Sequence, residues 1–165
     1  MPDQRDNPAL VFTYRNFGDV DFYGLDLGAE VLASDRVSFN GAFSWVSEEC
    51  FDFNEDGDCT SAVDVALNAP TAKGSVGARF QDQSRGVTVG ARGRFSDGFI
   101  MNSGVYVGEV DEYAVADANV TYDLTAIPGA SVTLSVNNIF DNVHQEFVGA
   151  PSLGRLAMLR LTYDF

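Results

Sequence analysis

The chain has 165 residues, 45% of them hydrophobic and 21% charged, a balance that suits one folded domain and excludes disorder along the whole length. Its 24 Asp+Glu against 10 Lys+Arg give a net charge of -14, which excludes a nucleic-acid partner, because a phosphate backbone is held by clustered basic side chains. No run of about 18 uncharged apolar residues occurs, so no transmembrane helix is expected, and the start Met1-Pro2-Asp3-Gln4-Arg5 lacks the apolar core of a secretory signal. A membrane β-barrel writes a much weaker hydropathy signal and stays open as a reading.

In chain order, the sequence predicts about eight strands by alternation of apolar and polar residues. Leu10, Phe12 and Tyr14 form a short first stripe. Tyr23, Leu25, Leu27, Ala29 and Val31 then oppose Asp26 and Glu30, and Val37, Phe39, Phe43 and Trp45 oppose Ser38, Asn40 and Ser44. Val76, Ala78 and Phe80 alternate with Ser75, Arg79 and Gln81; Val87, Val89, Ala91 and Phe95 alternate with Thr88, Arg92 and Arg94. Ala114, Ala116, Ala118, Val120, Tyr122 and Leu124 alternate with Val115, Asp117, Asn119, Thr121 and Asp123. Val132, Leu134 and Val136 follow, and Ala157, Leu159, Leu161, Tyr163 and Phe165 close the chain against Arg160, Thr162 and Asp164. The connections at residues 34–36, 82–86 and 125–129 are short and rich in turn formers, whereas those at 48–69, 98–110 and 138–152 are long. The connection at 16–20 is the one exception, short on the long-loop end.

Alternation also suits a soluble sandwich or a lipocalin-like barrel with its apolar face inward. Three features favour the inverted arrangement, in which that face meets lipid. Many strands reach the length that a tilted strand needs to cross a bilayer, and the loops sort by length to opposite ends. Aromatic residues gather at the ends of the stripes, with Phe80, Tyr122, Tyr163 and Phe165 toward the tight end and Phe43, Trp45 and Phe95 toward the loop end, as in interfacial girdles. The charges Asp26, Glu30, Arg79, Arg92, Arg94, Asp117, Asp123 and Arg160 all share the parity of the polar face. An Arg on the lipid side at midplane would cost about 2 to 4 kcal/mol, which accounts for the sorting. Backbone in lipid has no water to bond, so such a sheet closes or belongs to one that does, and eight strands suffice to close alone.

Candidate sites are few. Asp52, Asn54, Asp56 and Asp58 place oxygen ligands at alternate positions beside Gly57, as a calcium loop does, but Val63 stands where a closing Glu is expected and Asp64 follows it. A solvated acidic loop is the simpler reading, with calcium the candidate cofactor. Cys50 and Cys59 bracket this loop and form a disulfide in an oxidising compartment, or stay free thiols in a reducing one. His144 is the only histidine; no second His or Cys has ligand spacing and no relay can be assigned, so it reads as a solvated loop residue and the chain as no enzyme. Arg79, Arg92 and Arg94, opposite Asp117 and Asp123, either line a pore wall or dock a plug, or pair with each other inside a small lumen.

The C-terminal segment carries a resemblance. Val136-Asn137-Asn138-Ile139-Phe140-Asp141-Asn142, then Glu146-Phe147-Val148-Gly149-Ala150-Pro151, Gly154-Arg155-Leu156 and the terminal Leu159-Arg160-Leu161-Thr162-Tyr163-Asp164-Phe165 resemble the end of a TonB-dependent outer-membrane receptor. Tyr23-Gly24-Leu25-Asp26-Leu27 and the stretch Leu67-Asn68-Ala69-Pro70-Thr71-Ala72-Lys73-Gly74-Ser75 are similar to other segments near the end of such barrels. The resemblance implies an all-β antiparallel transmembrane barrel sheet, with short periplasmic turns and long extracellular loops, in a Gram-negative outer membrane. It implies uptake of a siderophore, cobalamin or glycan type of nutrient. Implied partners are outer-membrane lipid, the rest of the receptor with its plug and TonB, and the barrel-assembly machinery, which would read Leu159, Leu161, Tyr163 and Phe165. Barrels of that family have about 22 strands around a plug, so residues 1–165 are expected to be the last third of one, without plug or signal peptide. The rival readings are a self-contained eight-stranded anchor or adhesin, which needs residues 9–14 to pair with 156–165, and a soluble ligand-binding β-barrel.

Overall fold

A computed structural model describes residues 19–53, 59 and 64–164. Among them are eleven strands and no helix: β1 (Gly24–Ser34), β2 (Val37–Val46), β3 (Cys50–Phe51), β4 (Val65–Ala66), β5 (Ala72–Asp82), β6 (Val87–Ser96), β7 (Phe99–Asn102), β8 (Val107–Val110), β9 (Tyr113–Asp123), β10 (Ala130–Asn137) and β11 (Leu156–Tyr163). Seven of these form one antiparallel sheet in the order β1-β2-β5-β6-β9-β10-β11, and β3-β4 and β7-β8 are separate two-stranded ribbons. The first expected stripe, Leu10 to Tyr14, and the terminal Phe165 lie outside the described residues. The described sheet is open, with β1 and β11 as its edges.

The register turns the alternation of each strand into rows that cross the sheet. Val31, Phe39, Ala78, Ala91, Ala118, Val136 and Ala157 are successive cross-strand partners over all seven strands. The row beside it runs Glu30, Asn40, Gly77, Arg92, Asp117 on the opposite face. A slip of one residue would bring the polar row, with Glu30, Asn40, Arg92 and Asp117, into line with the apolar one, so the pattern itself holds the register.

No second layer covers the apolar face. Val76 is 69% exposed, Leu159 75% and Leu161 71%, and the buried apolar residues among those described are only Cys59, Met101, Val110, Val115 and Ala130. A sandwich or lipocalin-like core would bury this face centrally; here it stays outward and calls for an apolar solvent. The girdles expected from sequence fall at its two ends. Tyr23 packs edge-on to Trp45 with ring centroids 5.7 Å apart and Phe43 lies 6.4 Å from Phe95 near the long loops, while Phe80, Tyr122 and Tyr163 lie near the tight turns.

The tight end is tied together by Asp82. Its buried carboxylate accepts hydrogen bonds from Ser84 N at 3.1 Å and Ser84 Oγ at 2.6 Å and pairs with Arg85 at 3.8 Å in its own turn, and reaches Arg36 of the β1-β2 turn at 3.4 Å. Gly86 completes that turn at φ 63°, a backbone region that side chains disfavour.

Candidate ligand-facing site

The polar face and the long loops meet at one end of the sheet. On the face, Arg94 Nε donates to Asp117 Oδ2 at 3.2 Å, and Arg92 donates to Ser75 Oγ at 3.3 Å. Lys73, Arg79 and Arg92 form no ion pair among the described residues. Successive levels of β5 and β6 thus carry Lys73, Arg94, Arg92 and Arg79 in turn, a basic strip along one wall of an acidic chain. The amide of Asn40 lies over Gly77 and that of Asn119 over Gly90, where a Cβ would collide with it. The strip stays accessible, with a recess lined by Ser44, Lys73, Ser75, Arg92, Arg94 and Tyr113.

The stretch after β10 is a clasp built from short polar side chains. Asn138, at φ 53°, is 4% exposed; its Nδ2 donates to Asn142 O at 2.9 Å and its Oδ1 accepts from Asn142 N at 3.0 Å. Its backbone N donates to Asp117 Oδ1 at 2.9 Å, and Asn142 Nδ2 reaches Ala114 O on β9 at 2.9 Å. Asp141, at φ 56°, accepts from Arg155 N at 2.7 Å just before β11. Asn and Asp tolerate this left-handed backbone and bond locally, which is why these residue types occur here. The clasp ties the start of the 138–155 excursion to β9 and its end, at Arg155, back to Asp141 and Ile139.

The three long loops pack into one cluster. Cys50 and Cys59 are joined by a disulfide with Cα atoms 6.2 Å apart. Asn102, ending β7, donates its backbone N–H to Asn68 Oδ1 at 2.7 Å and its side-chain Nδ2 to Cys59 O at 3.3 Å. Tyr106, between β7 and β8, packs edge-on to Phe147 of the third loop at 5.0 Å. In the chain-entropy picture, closing a loop of about ten residues contributes roughly 2 to 3 kcal/mol. Replacing both cysteines by serine should therefore lower the unfolding free energy of the loop cluster by about 2 kcal/mol while leaving the sheet registers intact, as chemical denaturation followed by exchange of the 50–66 amides would read.

Glu49, next to this disulfide, has its carboxyl pushed above the usual range by burial first and then by the charges of Asp97 and Glu109. A raised carboxyl disfavours the charged folded state, so stability is greatest below the ordinary glutamate value and falls as pH rises through the folded-state value. Glu49→Gln is expected to remove that slope and stabilise the loops at neutral pH, checked by the melting temperature of both proteins from pH 4 to 7.

Several sequence expectations meet the structure here. Asn54, Asp56 and Asp58 lie outside the described residues, and Asp64 spends one carboxylate oxygen on Phe53 N at 3.2 Å. Leu159, Leu161 and Tyr163 share the exposed apolar face of β11. His144 corrects the reading of a solvated loop residue: it is 9% exposed and stacks on Tyr113 with ring centroids 4.3 Å apart. Sequence spacing missed this because Tyr113 starts a strand on the far side of a hairpin. The short ribbons β3-β4 and β7-β8 were also missed inside their loops; Ser103-Gly104 between two apolar pairs was the available signal for the second.

The family described as TonB dependent receptor-like, beta-barrel matches residues 1–139. No curated protein matches. Among solved structures, the chain is similar to the siderophore receptor PiuA from Acinetobacter baumannii, at 18% identity and TM-score 0.62, over 86% of this chain and 21% of that one. It is also similar to the ferric enterobactin receptor PfeA from Pseudomonas aeruginosa, at 18% identity and TM-score 0.60 over 86% and 22%, and to the copper transporter OprC, at 16% and 0.62 over 87% and 23%. At these identities the structures attest the fold, and the chain spans about a fifth of each of them. With the inverted two-faced sheet, the loops sorted to one end and the family match over most of the sequence, the chain belongs to the TonB-dependent receptor β-barrel family.

Proposed function

We propose that the chain forms the C-terminal part of the barrel wall of an outer-membrane receptor that takes up a scarce small-molecule nutrient of siderophore, cobalamin or glycan type. The observation that carries this reading is the open apolar row crossing all seven strands, backed by a charged face under a packed loop cluster. Such a sheet is a membrane wall with a polar inner surface. The loops at residues 48–69, 98–110 and 138–152 would contact the ligand, the basic strip would face the lumen and its plug, and TonB would supply the energy for release. Leu159, Leu161, Tyr163 and Phe165 would be the signal read by the barrel-assembly machinery. The family identity and the fold of its relatives support this reading.

The test is uptake by cells. Deleting the gene should abolish TonB-dependent accumulation of one labelled compound from a panel of ferric chelates, cobalamin and oligosaccharides, and restoring it should recover the signal. Unchanged accumulation of the whole panel, or a protein that fractionates as a detergent-free soluble monomer, would overturn the reading.

A further inference from the structure

His144 has an acceptor oxygen near each of its ring nitrogens, but only one of the two is in a hydrogen bond. Nδ1 lies 2.8 Å from the backbone oxygen of Asn142, and Nε2 lies 3.5 Å from Glu146 Oε1, buried and without a hydrogen bond. Both oxygens accept hydrogen bonds; Glu146, with its side chain 43% exposed, is also approached by Arg94 and the Tyr113 hydroxyl. A neutral imidazole carries a single N–H, so either tautomer turns a bare lone pair toward one of these oxygens. The tautomer that satisfies Asn142 points its lone pair at the Glu146 carboxylate; the other points it at a carbonyl 2.8 Å away. Only the imidazolium donates to both.

The surroundings balance that charge. Arg94, from β6, pairs with Asp117 of β9 at 3.2 Å and approaches Glu146 at 3.9 Å. With His144 protonated, two cations and two carboxylates form one connected group. Tyr113, also from β9, stacks its ring on the imidazole at an interplanar angle of 23°, a face that favours a cation, and its hydroxyl interacts with Glu146 and with Ser96 of β6. The backbone of His144 is tied to Leu153 by reciprocal bonds of 3.2 and 2.7 Å, so the ring anchors both arms of the third loop.

From this geometry we propose that His144 and Glu146 form a proton-operated latch that fastens the third outer loop to the barrel wall. In acid, Nε2 carries a proton and donates it to Glu146 in a charge-assisted hydrogen bond. As pH rises, that proton leaves to solvent, the lone pair faces the carboxylate, and the loop loosens from Tyr113 and Arg94. The latch requires only these side chains and does not rest on the uptake reading; where that reading holds, it makes entry to the lumen depend on external pH.

The protein expressed from its own gene, purified in detergent micelles and labelled with nitrogen-15 in its histidine rings, tests the latch between pH 5 and 8, the range in which histidine changes charge. The His144 signal is assigned by its loss in His144→Gln. At pH 5 both ring nitrogens should carry hydrogen. At pH 8 the Nε2 hydrogen should be gone, and amide exchange over residues 144–153, corrected for its intrinsic pH dependence, should quicken about tenfold, as the loss of one charge-assisted bond implies. In Glu146→Gln the side-chain amide donates to the neutral ring, so the loop should stay protected at both pH values. An Nε2 that never binds hydrogen in this range, loop exchange that does not change with pH, or a Glu146→Gln protein with the parent's pH response would each overturn the proposal.

Discussion

Leu134→Arg is expected to destabilise the folded sheet in lipid by about 2 to 4 kcal/mol, whereas Ser135→Arg, one residue on, should cost far less. Leu134 is at the middle of β10 between Val120 and Leu159 on the apolar face; Ser135 is between Asn119 and Met158 on the other. The two substitutions add the same side chain to the same strand at nearly the same depth. Only the solvent that receives the guanidinium differs, being acyl chains in one case and a polar interior in the other. Urea unfolding in lipid vesicles measures both. Equal costs, or a larger cost for Ser135→Arg, would show that the apolar face packs against protein, and the membrane reading would fail.

The second large effect is expected at the clasp. Asn138→Ala removes two side-chain hydrogen bonds from a buried position and leaves alanine at φ 53°, a combined cost of about 2 to 4 kcal/mol. Asn138→Gly relieves the backbone term but restores neither bond, so it should recover part of the loss. The contrast separates conformation from bonding. Thermal unfolding of the two variants in micelles gives the magnitudes, and amide exchange over 139–155 locates the damage. If alanine and glycine cost the same, the left-handed backbone contributes nothing and the explanation of the clasp is wrong.

The strands were legible from the sequence because a membrane sheet obeys a two-sided rule at every position. An apolar residue on each outward site and a tolerated polar one on each inward site make period two unusually clean, and β9 reads correctly from Ala114 to Asp123 on that basis. Turn chemistry likewise located the tight end, since the bonds of Asp82 to Ser84 and the left-handed backbone of Gly86 and Gly129 are local signals, even though Asp82 also reaches Arg36. What escaped the sequence depends on contacts between elements. The β3-β4 ribbon has two residues a strand, too few for any period. The burial of His144 comes from Tyr113 and Glu146, and the fit of Asn40 over Gly77 and Asn119 over Gly90 exists only once the register is set. The Asn138 to Asn142 motif was recognisable by resemblance, yet the reason for its residue types is the pair of left-handed backbones at Asn138 and Asp141. The family match ends at residue 139, so the match and the motif overlap by only a few residues.

The cross-linking of the outer loops has a mechanical corollary. Asn102 bonds Asn68 and Cys59 in the first loop, and Tyr106 of that second loop grips Phe147 in the third. Displacing Phe147 therefore also pulls on the β7-β8 ribbon and, through Asn102, on the loop closed by Cys50 and Cys59. The three loops are thereby coupled, more like a single hinged plate than three independent fingers.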